Sequence, residues 1–338
     1  VTVELKLQVP NTGKIYLKLI YRLKKEMPLL EQGYELGFDE MKLANEDDRN
    51  RQAVKWMEQE KAIGTINVKE NDRQIVLQAK DFTYVLDKRT GLFEHMQFAG
   101  RSYINHPMEL NIWRAPTDND MYIKQEWKKA HYDAAYTRAY RIEVLQNKHG
   151  VMIMEHLAVV ADTVQKILDV EMTWKINEDG KIEAVIEAVK DKEFPDLPRF
   201  GIRMFLNKKM DEITYFGMGP QESYRDKHQA SCHGLFRSKV AQMHEDYIRP
   251  QENGSHYDCD YVELTNGQCG IAAVSKNPFS FNASVYTQEE LERVSHNYEL
   301  KESDSTVFCM DYAMNGIGSN SCGPDVMDKY RFDEEAFQ

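Results

Sequence analysis

The 338-residue sequence predicts an all-β protein made of antiparallel sheets. Three observations carry that expectation: apolar and polar residues alternate with a period of two, turn signals recur at short intervals, and helix signals are scarce. The alternation is clearest at 168–176, where Leu168, Val170, Met172, Trp174 and Ile176 share one face and Asp169, Glu171, Thr173 and Lys175 the other. Such a strand belongs to a sheet packed on one side and solvated on the other.

Val1, Val3, Leu5, Leu7 and Val9 alternate with Thr2, Glu4, Lys6 and Gln8, which predicts a first strand ended by Pro10. A second is expected over 15–21 and, after the Gln32–Gly33 turn, a third over 34–43. Three strands cannot close a sandwich, so the first 60 or so residues read as part of one whose other strands lie upstream or were removed. Between Asn45 and Ile63 the chain turns polar and charged, with Ala53, Val54 and Trp56 the only apolar residues before Met57. The domain junction is placed there, giving a smaller unit over 1–62 and a larger one over 63–338.

From Gly64 onward strands are expected at 74–79, 82–87, 151–157, 167–176, 182–189, 200–206, 271–274, 279–286 and 307–312. Turn signals at Arg89–Gly91, Glu178–Gly180 and Thr265–Gly267 punctuate them. Thr287 and Glu290 make a capping box ahead of Leu291 and Val294, predicting a short helix, and a second helix is placed between Ile123 and Tyr140. No glycine-rich phosphate loop and no alternation of strands with long helices is present, which disfavours Rossmann and P-loop folds.

Hydrophobic residues at 42% and charged residues at 29% suit a soluble chain with a real core. Lys and Arg number 43 against 55 Asp and Glu, and the formal charge of −12 repels phosphate backbones. The densest basic stretches, Arg22–Lys25 and Lys124–Lys129, are short, so nucleic acid is not an expected partner. No apolar run reaches the roughly 20 residues that cross a bilayer, so no membrane is expected either. Five cysteines, an odd number without a CxxC pair, disfavour a disulfide framework and a tetrahedral zinc site and point to a reducing, cytoplasmic setting. Because the chain opens at Val1, a leader could have preceded it.

Four segments are too rich in polar residues and glycine for plain core strands: Asn111–Asp120 (NIWRAPTDND), Tyr215–Tyr224 (YFGMGPQESY), Tyr247–Asp260 (YIRPQENGSHYDCD) and Asn315–Pro324 (NGIGSNSCGP). Loops of this kind form sites or only close turns. His256, Asp258 and Asp260 alternate in a way compatible with a metal, but a solvated strand face is the expectation and no metal is assigned. Glu222 and Glu252 read as structural acceptors for backbone N–H groups or for arginines such as Arg225 and Arg249.

In order and spacing, RAPTDND, GMGPQESYRD, the ENG after Pro250, FSFNASVYTQEELERVSH and GIGSNSCGP resemble the C-terminal domain of the large bacterial β-galactosidases of glycoside hydrolase family 2. KIYLKLIYRLKKEMPLLEQGYELGFDEMKLAN resembles the end of the immunoglobulin-like domain that precedes it. The resemblance covers nearly the whole chain. It implies a large antiparallel supersandwich, galactose mutarotase-like, preceded by a partial immunoglobulin-like β-sandwich. It also implies a fragment of a retaining enzyme that hydrolyses terminal β-D-galactosides such as lactose. Retention needs two carboxyl groups roughly 5 Å apart, and the family carries both glutamates in an upstream barrel. Nothing in this sequence matches either glutamate motif, so no catalytic residue is assigned and the isolated chain is expected to be inactive.

By resemblance, this domain forms one wall of the active-site mouth and works with a galactoside and the missing barrel domain. The family usually places a tryptophan in the final glycine-rich loop; here Cys322 stands at the matching place, beside Ser321. The segment after Thr117 matches the start of a mobile loop near the sugar. Arg114, Asp118, Asn119 and Asp120 are candidates to order that loop, or else form a buried polar turn that anchors two strands. Met121, Tyr122 and Ile123 lack the glycine common at that point, so a switching role is not carried over. Magnesium and sodium, which such parent enzymes use, are expected on residues outside this chain, and the parent is expected to be a homo-oligomer. Two alternatives stand beside this reading: a free-standing carbohydrate-binding or accessory subunit, and an aldose mutarotase. The latter needs a histidine and a glutamate converging in a groove, and no such histidine is assignable.

Overall fold

The structure, a computed structural model, describes residues 6–11, 13–43, 65–147, 150–318 and 321–338. Two compact units divide the chain, one spanning 1–58 with Val274–Asn277 and the other the remainder.

In the first unit, β1 (Ile15–Arg22) and β2 (Glu35–Leu43) pair antiparallel, with Ile15 opposite Leu43 and a bulge at Tyr21/Arg22. Neither strand contains a buried residue, and Ile20, Tyr21, Leu36 and Met41 are exposed. A two-stranded ribbon of this kind buries too little to be stable without further strands. The expected first strand is corrected in part. Val1–Leu5 lie outside the described residues, and Lys6–Pro10 have no regular structure, with Leu7 and Val9 exposed. Alternation makes a strand only where a neighbour accepts its backbone hydrogen bonds. The expected junction at 45–63 falls outside the described residues.

The second unit opens with a meander of β3 (Asn67–Glu70), β4 (Gln74–Gln78), β5 (Phe82–Asp87), β6 (Leu92–Phe98) and β7 (Arg101–Ser102), a sheet in sequential order. β8 (Ile104–Asn111) then enters a different sheet. α1 (Ile123–Lys129) leads into β9 (Tyr136–Asn147), β10 (Gly150–Val160), β11 (Leu168–Ile176) and β12 (Ile182–Lys190). β13 (Arg199–Asn207), β14 (Glu212–Gly219), β15 (Cys232–Lys239), β16 (Ser255–Thr265) and β17 (Gly270–Ser284) follow. After α2 (Gln288–Arg293) come β18 (Ser305–Met314) and β19 (Ala336–Phe337). β9–β12 with β19 form a five-stranded sheet, and β8 completes a seven-stranded one in the order β15-β14-β16-β17-β18-β13-β8. This is the antiparallel, nearly all-β architecture the alternation predicts.

One apolar cluster, including Phe93, Trp174, Phe200 and Phe281, draws on all three of these sheets. The five apolar residues of β11 are all buried, while Glu171 and Lys175 are exposed. Trp174 meets Phe93 edge-on at 4.9 Å and donates its indole N–H to Gly91 O at 3.1 Å, tying two sheets together. Gly91 (φ +73°) is glycine for space as well as conformation, because a Cβ there would lie 2.6 Å from Leu157.

The strands expected at 74–79, 82–87, 151–157, 167–176, 182–189, 200–206 and 307–312 all form, with small shifts at their ends. Those expected at 271–274 and 279–286 are one strand, β17. Two segments read as loops are partly strand: β14 takes Tyr215–Gly219 and β16 takes Ser255–Asp260. Gly217 is a packing glycine, since a Cβ there would stand 2.2 Å from the Cys259 sulfur of the neighbouring strand. The helix placed between Ile123 and Tyr140 is confined to α1 and a 3-10 turn at Tyr132–Ala134. His131 (φ +58°) breaks it, and the residues from Tyr136 on pair with β10. In α2, Thr287 caps as expected, accepting from Glu290 N at 3.1 Å. The Glu290 carboxylate turns to Arg293 and to Lys301 N, so one half of the capping box forms.

Candidate functional site

The four glycine-rich and polar segments meet at one end of the seven-stranded sheet, where β8, β14 and β18 finish and β13 and β16 begin. From the end of β8 the chain runs buried and irregular, braced by a reciprocal amide pair between Asn111 and Gln288 of α2 (3.2 and 2.9 Å). Arg114 follows, with no exposed surface. Its Nε and Nη2 grip the Asp120 carboxylate at 3.2 and 2.7 Å, Nη1 donates to Asn315 O at 2.6 Å, and Nη2 also reaches Gly316 O at 3.1 Å. One guanidinium thus joins the first segment to the last across about 200 residues of sequence. The planar fork suits this task because it bonds a carboxylate and two carbonyls at once.

The Gln-Glu-Asn-Gly stretch binds the same turn from the other side. Glu252 N donates to Ala115 O (3.0 Å), Asp118 N to Gln251 Oε1 (3.0 Å), and Gln251 Nε2 to Asp118 Oδ2 (3.2 Å). Asn119 extends over the last loop, donating to Gly318 O at 2.5 Å and accepting from Ser321 N at 3.3 Å. The second segment braces the third, with Glu222 accepting from Gly254 N (2.8 Å), Lys227 Nζ (2.5 Å) and the Tyr247 hydroxyl.

Beneath these loops lies a buried ionic knot. Arg199, at the start of β13, holds Asp311 of β18 through two hydrogen bonds and reaches Glu252 at 3.3 Å. Burial opposes the charge on Arg199, but Asp311, Cys309 and Glu252 hold its pKa well above the ordinary value. Burial pushes the Glu252 carboxyl up against the pull of Arg199. Glu252 Oε1 also accepts from the Ser255 hydroxyl at 2.7 Å. Glu222 and Glu252 are thus structural acceptors, as the sequence suggests, but their charged partners are Lys227 and Arg199 rather than Arg225 and Arg249. Arg225 instead donates to Arg331 O at 3.0 Å.

The solvated face expected for His256, Asp258 and Asp260 is also corrected: His256 and Asp260 are buried. Asp258 (φ +51°) interrupts the alternation and pairs with His233 at 2.8 Å. His256 lies against Tyr215 and Phe281 with Nδ1 on Met218 O, and burial lowers its pKa to about 4. Among the described residues no group of three or more His, Cys, Asp or Glu side chains is placed to hold a metal.

The six residues singled out from the sequence therefore fall into two layers. Arg114 and Asp120 are buried supports, whereas Asp118, Asn119, Ser321 and Cys322 lie half-buried or exposed at the rim. Such an arrangement leaves backbone, amide, carboxylate and thiol groups accessible above a hydrogen-bonded base. Arg199, Asp311, Gln251 and Asp226 were not foreseen. Asp226 stands two residues beyond the second segment, at the end of the GMGPQESYRD stretch, but nothing local in the sequence shows that its carboxylate reaches the last loop.

A family described as "Beta galactosidase small chain" matches residues 78–338. A β-galactosidase of Actinobacillus pleuropneumoniae is 43% identical over 339 residues, covering 100% of this chain and 33% of the relative. One from Staphylococcus xylosus is 34% identical over 314 residues, covering 93% and 31%. A galactose mutarotase-like protein from Lactobacillus casei aligns at 11% identity and a TM-score of 0.32, over 81% of this chain and 95% of that one. The chain spans about a third of the length of the curated relatives it matches. The resemblance to the C-terminal portion of a large β-galactosidase is thereby borne out. With the matched region covering every strand from β5 onward, the chain belongs to the β-galactosidase small-chain family.

Proposed function

We propose that this chain is the noncatalytic C-terminal part of a retaining β-galactosidase acting on terminal β-D-galactosides such as lactose. In this reading the rim of Asp118, Asn119, Ser321 and Cys322 forms one wall of the active-site mouth. The observation that carries it is the convergence of all four segments on one sheet end, locked by Arg114 on Asn315 and Gly316. Structure of that density at a loop cluster serves a ligand surface better than it serves turn closure. The acid/base and nucleophile belong to residues outside this chain, as do the magnesium and sodium of the complete enzyme. Glu222 and Glu252 support this division of labour, since both are engaged by internal donors. The complete enzyme is a cytoplasmic homo-oligomer in this reading.

A second reading, a separately made small subunit of a two-polypeptide enzyme, is favoured by the wording of the family description. One experiment addresses both. Hydrolysis of o-nitrophenyl β-galactoside is measured for the purified chain alone and after addition of the remaining N-terminal portion as a separate polypeptide. Activity only in the mixture supports the proposal, and recovery of a stable complex supports the two-polypeptide form. Cleavage by the chain alone refutes the assignment of the catalytic carboxylates elsewhere.

A further inference from the structure

The last loop is held mainly by side chains that come from other parts of the sequence. Asn315 N donates to Pro198 O (3.0 Å) and Gly316 N to Tyr330 O (2.8 Å), while Arg114 takes both carbonyls of that pair. The next two N–H groups, of Ile317 and Gly318, both point at the Asp226 carboxylate, at 3.0 and 2.8 Å. Gly318 lies in the left-handed region (φ +60°), which glycine adopts at no steric cost. Asp226 sits at the tip of a tight turn closed by Tyr224 N to Lys227 O (2.7 Å) and Lys227 N to Tyr224 O (3.1 Å). Tyr224 packs with Met314 and Ile317 in a small apolar cluster separate from the main core. Gly316 keeps the approach open, because a Cβ there would stand 2.8 Å from Asp226 Oδ2 and 2.9 Å from Val326.

From this geometry we infer that Asp226 is a positioning residue that sets how the site receives its galactoside. It anchors the inner side of the loop while Asn119 anchors the outer side through Gly318 O and Ser321 N. Between them the two fix the base from which Ser321 and Cys322 project. The inference rests on the proposed reading of this rim as part of a galactoside site. Asp226 touches no reacting atom, so its loss acts on the position of the rim and on the binding of the galactoside more than on bond cleavage.

The test uses the assembled enzyme, this chain with its N-terminal portion, and compares wild type with Asp226→Asn. An asparagine offers one acceptor and one donor to two N–H groups, so the bidentate charged clamp is lost. The expected result is a KM for lactose raised roughly tenfold with a smaller fall in kcat, together with roughly tenfold faster amide exchange at Ile317 and Gly318. Gly316→Ala, which displaces the carboxylate without removing its charge, is expected to reproduce both changes and serves if the first variant does not fold. Faster exchange with an unmoved lactose KM, or exchange that does not change, overturns the inference. A wild-type assembly that cleaves no galactoside instead overturns the proposed function, and the exchange measurement still shows whether Asp226 clamps the loop.

Discussion

Glu155 on β10 is a carboxyl group folded into an apolar core, and replacing it with glutamine gives a stability change whose pH dependence follows from the structure. The residue is 1% exposed, and neither carboxylate oxygen has a hydrogen-bond partner among the described residues. Its register neighbours, Ile142 on β9 and Met172 on β11, are apolar, and the nearby Trp174 indole donates to Gly91 O. Burial pushes its pKa up to about 9, opposed only by Trp174. The unfolded chain would ionise it near 4.3. With the folded pKa the higher of the two, ionisation of the group costs nothing below pH 4, where it is protonated in both states. Between about 4.5 and 9 the unfolded state alone releases the proton, and stability falls by about 1.4 kcal/mol per pH unit. At pH 7 the loss amounts to roughly 3.5 kcal/mol. Glu155→Gln keeps the shape and removes the ionisation. Urea unfolding of the chain at pH 5, 6, 7 and 8 is therefore expected to show the variant gaining on wild type by about 1.4 kcal/mol per pH unit. A difference that stays constant from pH 5 to pH 8 would falsify the assignment of a neutral buried carboxyl.

Further outcomes are equally direct. Arg114→Ala leaves Asp120 buried with the Thr117 N–H but without its cationic partner and is expected to cost roughly 3–5 kcal/mol in urea unfolding, with a change below 1 kcal/mol contradicting the buried pair. Cys322→Trp in the assembled enzyme adds a ring face for the sugar's CH groups and is expected to lower the lactose KM by roughly twofold to tenfold; no gain refutes the rim reading. His256, with its folded pKa at about 4, lies below the unfolded value near 6.5. The unfolded state therefore takes up a proton first as pH falls, so this group's contribution is complete above pH 6.5 and is lost from there down to about 4. An NMR titration in which the imidazole stays neutral at pH 5.5 checks it. Thr287→Ala removes the cap on α2 and is expected to cost about 1 kcal/mol, whereas Thr287→Asp, which keeps an acceptor for Glu290 N, is expected to retain most of that stability.

The fold class was legible because the information is local. A strand such as β11 announces itself when each second side chain is apolar, since that pattern can bury its apolar face only in an extended conformation. β9, β14 and β16 were less legible. In β9 exposed residues dominate, so alternation is weak, and its strand conformation comes from pairing with β10. In β14 the glycines read as loop, although Gly217 is required by the sulfur packed against it.

The candidate site divides along the same line. Its segments were visible as compositional anomalies, and the roles of Glu222 and Glu252 as acceptors followed from their chemistry. Their partners did not follow, because Arg199 lies 53 positions from Glu252 and 112 from Asp311, and no periodicity spans such distances. Composition and pattern alone determined that this chain is antiparallel β, acidic and rich in polar loops. Only the tertiary structure decided that Arg114 and Asp120 lie beneath the rim while Asp118, Asn119, Ser321 and Cys322 lie on it. The physical reason is that alternation is set by each residue's own backbone geometry, whereas burial of a charge is decided by what distant strands bring to neutralise it.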